Sequence, residues 1–132
     1  VLERCASTAA LVRRFEERCQ QLGINRCNVD GELIVKLYNE GDVLATEAMY
    51  EHWSVLGHGI AGMVNIFSPQ MIVIGGGISE AGPFCVAKIR EHTLKYALKE
   101  SIANTRFVAA TQGNCSGCLG AAGLVLHREY LD

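Results

Sequence analysis

The 132 residues include 12 Lys and Arg against 14 Asp and Glu, a net charge of −2, and 49% of them are apolar. This length is enough for one core, so residues 1–132 are predicted to form a single domain. The balanced charge gives no reason to expect a nucleic acid or an anionic membrane as a partner, and no apolar run approaches the ~18 residues that a membrane span needs.

Six cysteines raise the question of the redox compartment; they stand at positions 5, 19, 27, 85, 115 and 118. The chain begins with Val1-Leu2-Glu3, which is not the basic and then apolar start of an export signal. A core rich in Val, Ile, Leu and Ala does not need a disulfide framework. We therefore expect free thiols and a cytoplasmic protein. The missing initiator Met leads us to expect a fragment of a longer chain.

Three helices are predicted in the first half of the chain. They cover Ser7–Leu22, Gly31–Asn39 and a stretch from Asp42 to about Asn65. Ser7 (or the threonine after it), Asp30 and Asp42 are the expected N-caps, and Gly23 is the expected C-terminal glycine of the first helix. Apolar side chains repeat every three to four residues along the first helix and along the long one, which predicts a buried face on each.

The long helix contains three glycines in its second half, Gly57, Gly59 and Gly62. Each glycine lowers helix stability by ~1 kcal/mol relative to alanine. Their presence predicts that another backbone packs closely against this part of the helix. Ser68-Pro69 is expected to end it, because proline disfavours a helical residue before it.

The second half predicts alternating strands and helices: strands at Met71–Ile74 and Thr105–Ala110, and helices at about Pro83–Lys99 and at Cys118–Tyr130. The order α-α-α-β-α-β-α defines an α/β fold with parallel strands. Met71–Ile74 is wholly apolar, as in a strand covered by helices on both faces. Two strands are too few for an isolated sheet, so part of the fold is expected outside this chain or from a second copy.

Three glycines, Gly75 to Gly77, follow the first strand directly. Ligands in open α/β sheets bind at the carboxyl ends of strands, and glycines allow a ligand close to the main chain. The segment matches neither G-x-G-x-x-G nor G-x-x-x-x-G-K-[ST]. Approach of a nucleotide and a simple tight turn both remain open from these residues.

A second loop of small residues, Thr111 to Gly123, follows the second strand. Two adjacent parallel strands with such exits form one edge of a cleft, which favours a ligand site there. Cys115 and Cys118 form a C-x-x-C, half the ligands of a zinc site or a redox pair at a helix start; packing residues in a tight loop are the alternative. The four histidines lie in predicted helices without ligand spacing, so surface or hydrogen-bonded core positions are expected, at His52, His58, His92 and His127. No complete active site is visible.

Three segments together resemble the ROK family (repressors, open reading frames and sugar kinases). They are "VLERCASTAALVRR", "GDVLATEAMYEHWSVLGHGIAGMVNIFSPQMIVIGGGIS" and "GNCSGCLGAAGLVL". The first is similar to the stretch after the zinc motif of the family. The second is similar to its long helix, proline exit and adenosine segment, and the third to its closing glycine–alanine helix. The resemblance covers nearly all of the chain.

This resemblance implies the C-terminal part of an actin- or hexokinase-like fold, in which two ribonuclease-H-like lobes enclose a cleft. Sugar kinases of the family transfer the γ-phosphoryl group of ATP to a hexose hydroxyl. Glu3 matches the glutamate that hydrogen-bonds a sugar hydroxyl in these kinases; an exposed acid at the start of a helix is the alternative. The residues that would line the adenine and ribose side are Gly75, Gly76, Gly77, Ile78 and Ser79.

The sequence also departs from the pattern of the family. Val1 stands where the last zinc cysteine is expected, and Thr8 replaces a usual glycine. A structural zinc site, the phosphate loops and the catalytic aspartate would all lie upstream of this chain. ATP and Mg²⁺ are therefore expected as cofactors of the intact protein, while the fragment alone would not phosphorylate a sugar.

The interpretation favoured by these residues is the nucleotide-side lobe of a ROK sugar kinase, resembling the glucokinases, with sugar and nucleotide as its ligands. We expect a homo-oligomer, and no direct contact of this segment with nucleic acid or a membrane. A sugar-sensing half of a ROK transcriptional repressor is the first alternative. A structural or dimerising module without a ligand is the second.

Overall fold

The computed structural model describes residues 2–76, 81–111 and 115–128; for residues 116 and 124–128 it describes the backbone alone. The observed order is the predicted one with two short helices added. In chain order the elements are α1 (Leu2–Ala6), α2 (Thr8–Gln21), α3 (Gly31–Asn39), α4 (Val43–Phe67), β1 (Met71–Ile74), α5 (Pro83–Leu94), α6 (Lys99–Ile102), β2 (Arg106–Ala109) and α7 (Ser116–Arg128).

The predicted helix ends are confirmed by their capping bonds. Side-chain oxygens of Ser7, Asp30 and Asp42 each accept the backbone N–H three residues further on, at 3.3, 2.8 and 2.8 Å. These bonds satisfy N–H groups that have no partner within the helix. Gly23 adopts φ +67° after α2, and the N–H of Ile24 donates to the carbonyl of Cys19 at 2.9 Å. Local sequence therefore defines where these helices begin and end.

The predicted helix Pro83–Lys99 is too long: α5 ends at Leu94, and the short α6 begins only at Lys99. The amide of Asn65, on α4, binds the connector between them. Its Oδ1 accepts from the N–H of Leu98 at 2.8 Å, and its Nδ2 donates to the carbonyl of Tyr96 at 3.4 Å. A side chain more than 30 residues upstream thus satisfies backbone groups that a continuous helix would have paired, which no local pattern reveals.

The two strands pair in parallel, as predicted, with Met71 opposite Arg106 and Ile74 opposite Ala109. The expectation that helices cover both faces of β1 is wrong for the described residues. Ile74 is buried and joins the helical core, whereas Met71 and Val73, on the other face, are 42% and 58% exposed. Side chains alternate between the two faces of a strand, so a wholly apolar run does not reveal which face is covered here.

The core lies between the helices, with α4 at its centre. Trp53, on α4, is fully buried, and its ring lies 5.4 Å from that of Tyr38 and 6.2 Å from that of Phe84 in edge-to-face arrangements. Such aromatic pairs add stability beyond the buried area. No helix within the described ranges is both long and apolar enough to cross a membrane. The aromatic cluster joins α3, α4 and α5, so it fixes the elements that surround the candidate site.

Asp42 is expected to stabilise the chain more than Asp30, although both cap a helix. One Asp42 oxygen caps α4 and the other accepts from Arg26 Nη2 at 2.6 Å, in a pair whose side chains are 25% and 20% exposed. Asp42→Ala should lower the free energy of unfolding by about 2 kcal/mol and Asp30→Ala by about 1 kcal/mol in urea titrations. Asp42→Asn, which keeps the cap and loses only the charge of the pair, should lower it by about 1 kcal/mol or less. Equal losses for both alanine variants would contradict a role for the Arg26 pair.

Candidate functional site

The exits of β1 and β2 lie side by side, as the sequence predicted. The N–H of Ala110 donates to the carbonyl of Ile74 at 2.7 Å, which extends the pairing to the ends of both strands. A Cβ built on Gly75 would lie 3.6 Å from the Cβ of Ala110, an ordinary contact. Parallel pairing therefore brings the two small-residue exits to one edge, where α/β folds bind ligands.

Of the two described glycines in this run, Gly76 is the one whose backbone conformation favours glycine. It adopts φ +81°, which residues with a Cβ rarely adopt, while a Cβ there would meet nothing within 4 Å. Gly75 has no such positive φ and accommodates a Cβ. Gly77, Ile78 and Ser79, the remaining residues predicted to contact the nucleoside, lie outside the described residues.

A cavity of about 440 Å³ lies between α3 and the turn that leads into α5. Its volume falls within the range of small-molecule sites in proteins. Helix α3 and its C-cap contribute two adjacent rows of residues at four-residue spacing, and Ala81, which precedes α5, completes the lining. The lining residues are Gly31, Glu32, Val35, Lys36, Asn39, Glu40 and Ala81.

The chemistry of this cavity suits an uncharged molecule with an apolar face and polar edges. Val35 and Ala81 provide the apolar wall, and Asn39 offers both hydrogen-bond donors and an acceptor. Two carboxylates, Glu32 and Glu40, surround the single ammonium group of Lys36, which leaves a net charge of −1 around the cavity. A phosphate group within this ring of side chains would be repelled more than attracted.

The cavity residues of α3 were missed by the sequence analysis. The helix was predicted with correct bounds, but no role was assigned to its side chains; in the structure Ile34 marks its buried face. The opposite face is the one that lines the cavity. The sequence does contain one signal for the cavity: the small residue Gly31 begins a row that continues through Val35 and Asn39. This row indicates a cavity only when the position of the turn at Ala81 is known.

Glu3 lies on α1 and is exposed. The carbonyl of Glu3 accepts the N–H of Ser7 at 3.1 Å. Glu3 does not line the cavity between α3 and the turn at Ala81. Glu3 and this cavity therefore belong to different elements, α1 for Glu3 and α3 with Ala81 for the cavity.

All six cysteines fall within the described parts of the chain, and each is a free thiol. Cys115 and Cys118 are both exposed at the start of α7. Within the described ranges, no group of three or more His, Cys, Asp and Glu side chains could hold a metal ion. A structural zinc site takes four ligands, so the described residues do not form such a site by themselves. Burial raises the pKa of the Cys85 thiol to about 11, so that thiol stays protonated and unreactive at neutral pH.

His52 is not the hydrogen-bonded core histidine that the sequence analysis expected. It is fully buried on α4, and neither ring nitrogen has a hydrogen-bond partner among the described residues. Burial, with a smaller effect of the nearby Arg14 charge, lowers the pKa of His52 to about 4. The imidazole is therefore neutral at physiological pH, and a proton would be bound only at a cost to folding.

The fold is that of the actin- and hexokinase-like sugar kinases. The chain superposes with a TM-score of 0.81 on the crystal structure of a ROK family glucokinase from Streptomyces griseus in complex with glucose and AMPPNP, at 27% identity, covering 93% of this chain and 43% of that one. The ROK family model matches residues 1–128, and the chain belongs to the ROK family.

Relatives of the chain include both kinases and regulators. It is 33% identical over 102 residues to a β-glucoside kinase of Klebsiella pneumoniae, which covers 77% of this chain and 32% of that protein. It is 34% identical over 127 residues to the DNA-binding transcriptional dual regulator NagC of Escherichia coli K12, covering 94% of this chain and 31% of that protein. The chain thus spans about a third of the length of these relatives.

Proposed function

We propose that this chain is the nucleotide-side lobe of an ATP-dependent hexose kinase of the ROK family, and that alone it does not phosphorylate a sugar. The observation that carries the proposal is the cavity between α3 and the turn at Ala81, in a fold whose solved relative was crystallised in complex with glucose and AMPPNP. The size and charge of the cavity suit the nucleoside end of ATP.

The nucleoside would lie between α3 and the turn at Ala81. Val35 and Ala81 would contact the faces of the base, and Lys36 and Asn39 would hydrogen-bond its edge or the ribose. The net negative charge of the cavity would direct the phosphates outward, past Gly75 and Gly76, toward groups that the intact protein supplies. Gly77, Ile78 and Ser79 belong to this proposal through the resemblance of their segment.

The sugar would contact Glu3 on the separate surface of α1. An ionised carboxylate can accept hydrogen bonds from two hydroxyls, which suits a hexose. Phosphoryl transfer further needs a catalytic base, Mg²⁺ on the phosphates and closure of two lobes. We place these groups, and a structural zinc site, in the rest of the intact protein, so this chain contributes binding and orientation.

Calorimetric titration of the 132-residue chain with adenosine, ADP and AMPPNP tests the nucleoside site. Asn39→Trp would place a large side chain at the mouth of the cavity, and Gly75→Val would narrow the strand exit without the strain that the positive φ of Gly76 would impose. Each variant should raise the dissociation constant of the nucleoside about tenfold or more, because it removes favourable contacts with the ligand.

Gln20→Trp is the matched control, since Gln20 is an exposed polar residue on α2, outside the cavity. It should bind nucleoside like the unchanged chain, and all three variants should keep the same melting temperature within a few degrees. Absence of binding to all three ligands, or equal binding by Asn39→Trp and the unchanged chain, would argue against the nucleoside site.

The second candidate function is the sugar-sensing half of a ROK transcriptional repressor. It is favoured by the NagC relative, whose match covers 94% of this chain. The intact protein distinguishes the two: ATP-dependent phosphorylation of glucose supports the kinase, whereas sugar binding without turnover, together with binding to DNA, supports the repressor. Sedimentation of the same sample would test the expected homo-oligomer, and its location in the cell tests the cytoplasmic assignment.

A further inference from the structure

Helix α1, which carries Glu3, has little structure of its own. It contains five residues and none of them is buried. Isolated helices this short are not stable in water, because one turn fixes several backbone angles for very few hydrogen bonds. The position of Glu3 therefore depends on the contacts that neighbouring elements make with α1.

Two adjacent arginines of α2 bind the carboxyl end of α1. Arg13 Nη2 donates to the carbonyl of Arg4 at 3.2 Å, and Arg14 Nη2 donates to the carbonyl of Cys5 at 2.7 Å. Carbonyls in the last turn of a helix have no partner within the helix, so these donors complete its end and complement its negative pole.

The two arginines differ in exposure and in the ion pairs that they form. The Arg13 side chain is 60% exposed and its remaining ion pair, with Glu17, lies within α2. The Arg14 side chain is only 13% exposed, and its Nε pairs with Glu51 Oε1, on α4, at 3.1 Å. One planar guanidinium thus joins α1, α2 and α4, a geometry that its fixed fork of donors allows and a lysine cannot reproduce.

The other end of α1 rests on α4. A Cβ on Gly59 would clash with the side-chain methyl groups of Leu2, so the absence of a side chain at Gly59 lets Leu2 approach the helix. Leu2 and the Cys5 carbonyl stand on either side of Glu3 in the sequence. Contacts with α2 and α4 therefore hold both ends of the segment that contains Glu3.

We infer that Arg14 is a positioning residue for Glu3: it orients the sugar-contacting helix without touching the sugar. The inference rests on the proposed contact of Glu3 with the hexose. Loss of the Arg14 guanidinium should leave the fold largely intact, because Glu51 keeps its second partner, Arg18, and because one Arg14 nitrogen is already buried without a hydrogen bond among the described residues.

The test uses the intact kinase that contains this segment, with D-glucose and ATP as substrates and three variants beside the unchanged enzyme. Arg14→Met should raise the KM for glucose about tenfold, the size expected for loss of a charge-assisted hydrogen bond, with the KM for ATP unchanged. Arg14→Lys, which keeps the charge but not the fork, should give a smaller rise. Arg13→Met, the matched control, should stay within about twofold of the unchanged enzyme.

Glu3→Gln separates this inference from the proposal beneath it. If Glu3→Gln raises the KM for glucose and Arg14→Met behaves like Arg13→Met, the positioning role of Arg14 is wrong, but the contact of Glu3 with the sugar is supported. If Glu3→Gln leaves the KM for glucose unchanged, both the sugar contact of Glu3 and the positioning role of Arg14 are wrong. If Arg14→Met fails to fold, the glucose KM of Arg14→Lys decides, and a value equal to that of the unchanged enzyme overturns the inference.

A structural readout on the 132-residue chain accompanies the kinetics. Release of α1 should expose the peptide bond after Arg4 to trypsin, so that Arg14→Met is cut there about tenfold faster than Arg13→Met under native conditions. Equal cleavage rates would show that Arg14 does not hold α1 in place, and would overturn the inference independently of any activity.

Discussion

Replacement of Gly57 by alanine is expected to lower the free energy of unfolding by about 3 kcal/mol. Gly57 is buried on α4, and a Cβ there would lie 2.7 Å from the backbone carbon and the Cβ of His92 and 2.8 Å from the backbone nitrogen of Thr93. These atoms belong to α5, whose backbone cannot move aside without disturbing the packing of the two helices.

The measurement is urea denaturation followed by the fluorescence of Trp53, the only tryptophan of the chain and fully buried. Gly62→Ala is the matched control on the same helix, because a Cβ there would meet nothing within 4 Å. It should raise the free energy of unfolding by up to about 1 kcal/mol through helix propensity alone. A loss in Gly57→Ala no larger than a few tenths of a kcal/mol would contradict close packing of α4 and α5.

Acid should destabilise the chain through His52. Burial lowers the pKa of His52 to about 4 in the folded chain, below its ordinary value of 6.5, so the unfolded chain binds the proton more readily. The stability that the neutral imidazole contributes is complete above pH 6.5 and is lost as the pH falls toward 4. This difference in the pKa of His52 between the folded and the unfolded chain corresponds to a loss of about 3 kcal/mol of stability by pH 4.

Comparison of His52→Leu with the unchanged chain separates this effect from that of the carboxylates that also titrate in acid, because both proteins contain the same carboxylates. Between pH 7 and pH 4 the unfolding free energy of His52→Leu should fall about 3 kcal/mol less than that of the unchanged chain. His58→Leu is the control: His58 lies six residues further along α4, and its exposed ring stacks on Tyr96 at 4.5 Å. Parallel pH profiles for all three proteins would refute a buried neutral histidine at position 52.

The site was predictable from the sequence only in part. The strand exits and their parallel pairing followed from composition and from the order of elements. The cavity did not, because it forms between α3 and a turn at Ala81, about 45 residues apart in the chain. Likewise, the buried and unpaired state of His52 depends on the neighbours that α2 and α4 place around it, and a helical pattern contains no such information.

The sequence by itself determined the local features: the three N-caps, the glycine after α2, the two parallel strands and membership of the ROK family. Each of these features depends on interactions within a few residues or on the order of motifs, and both can be read directly from the sequence. The tertiary structure alone decided which residues of α3 line the cavity, where the helix after Pro83 ends, which face of β1 is covered, and that Arg14 connects three helices. These features arise from contacts between distant segments, whose geometry is defined only when the core around Trp53 has packed.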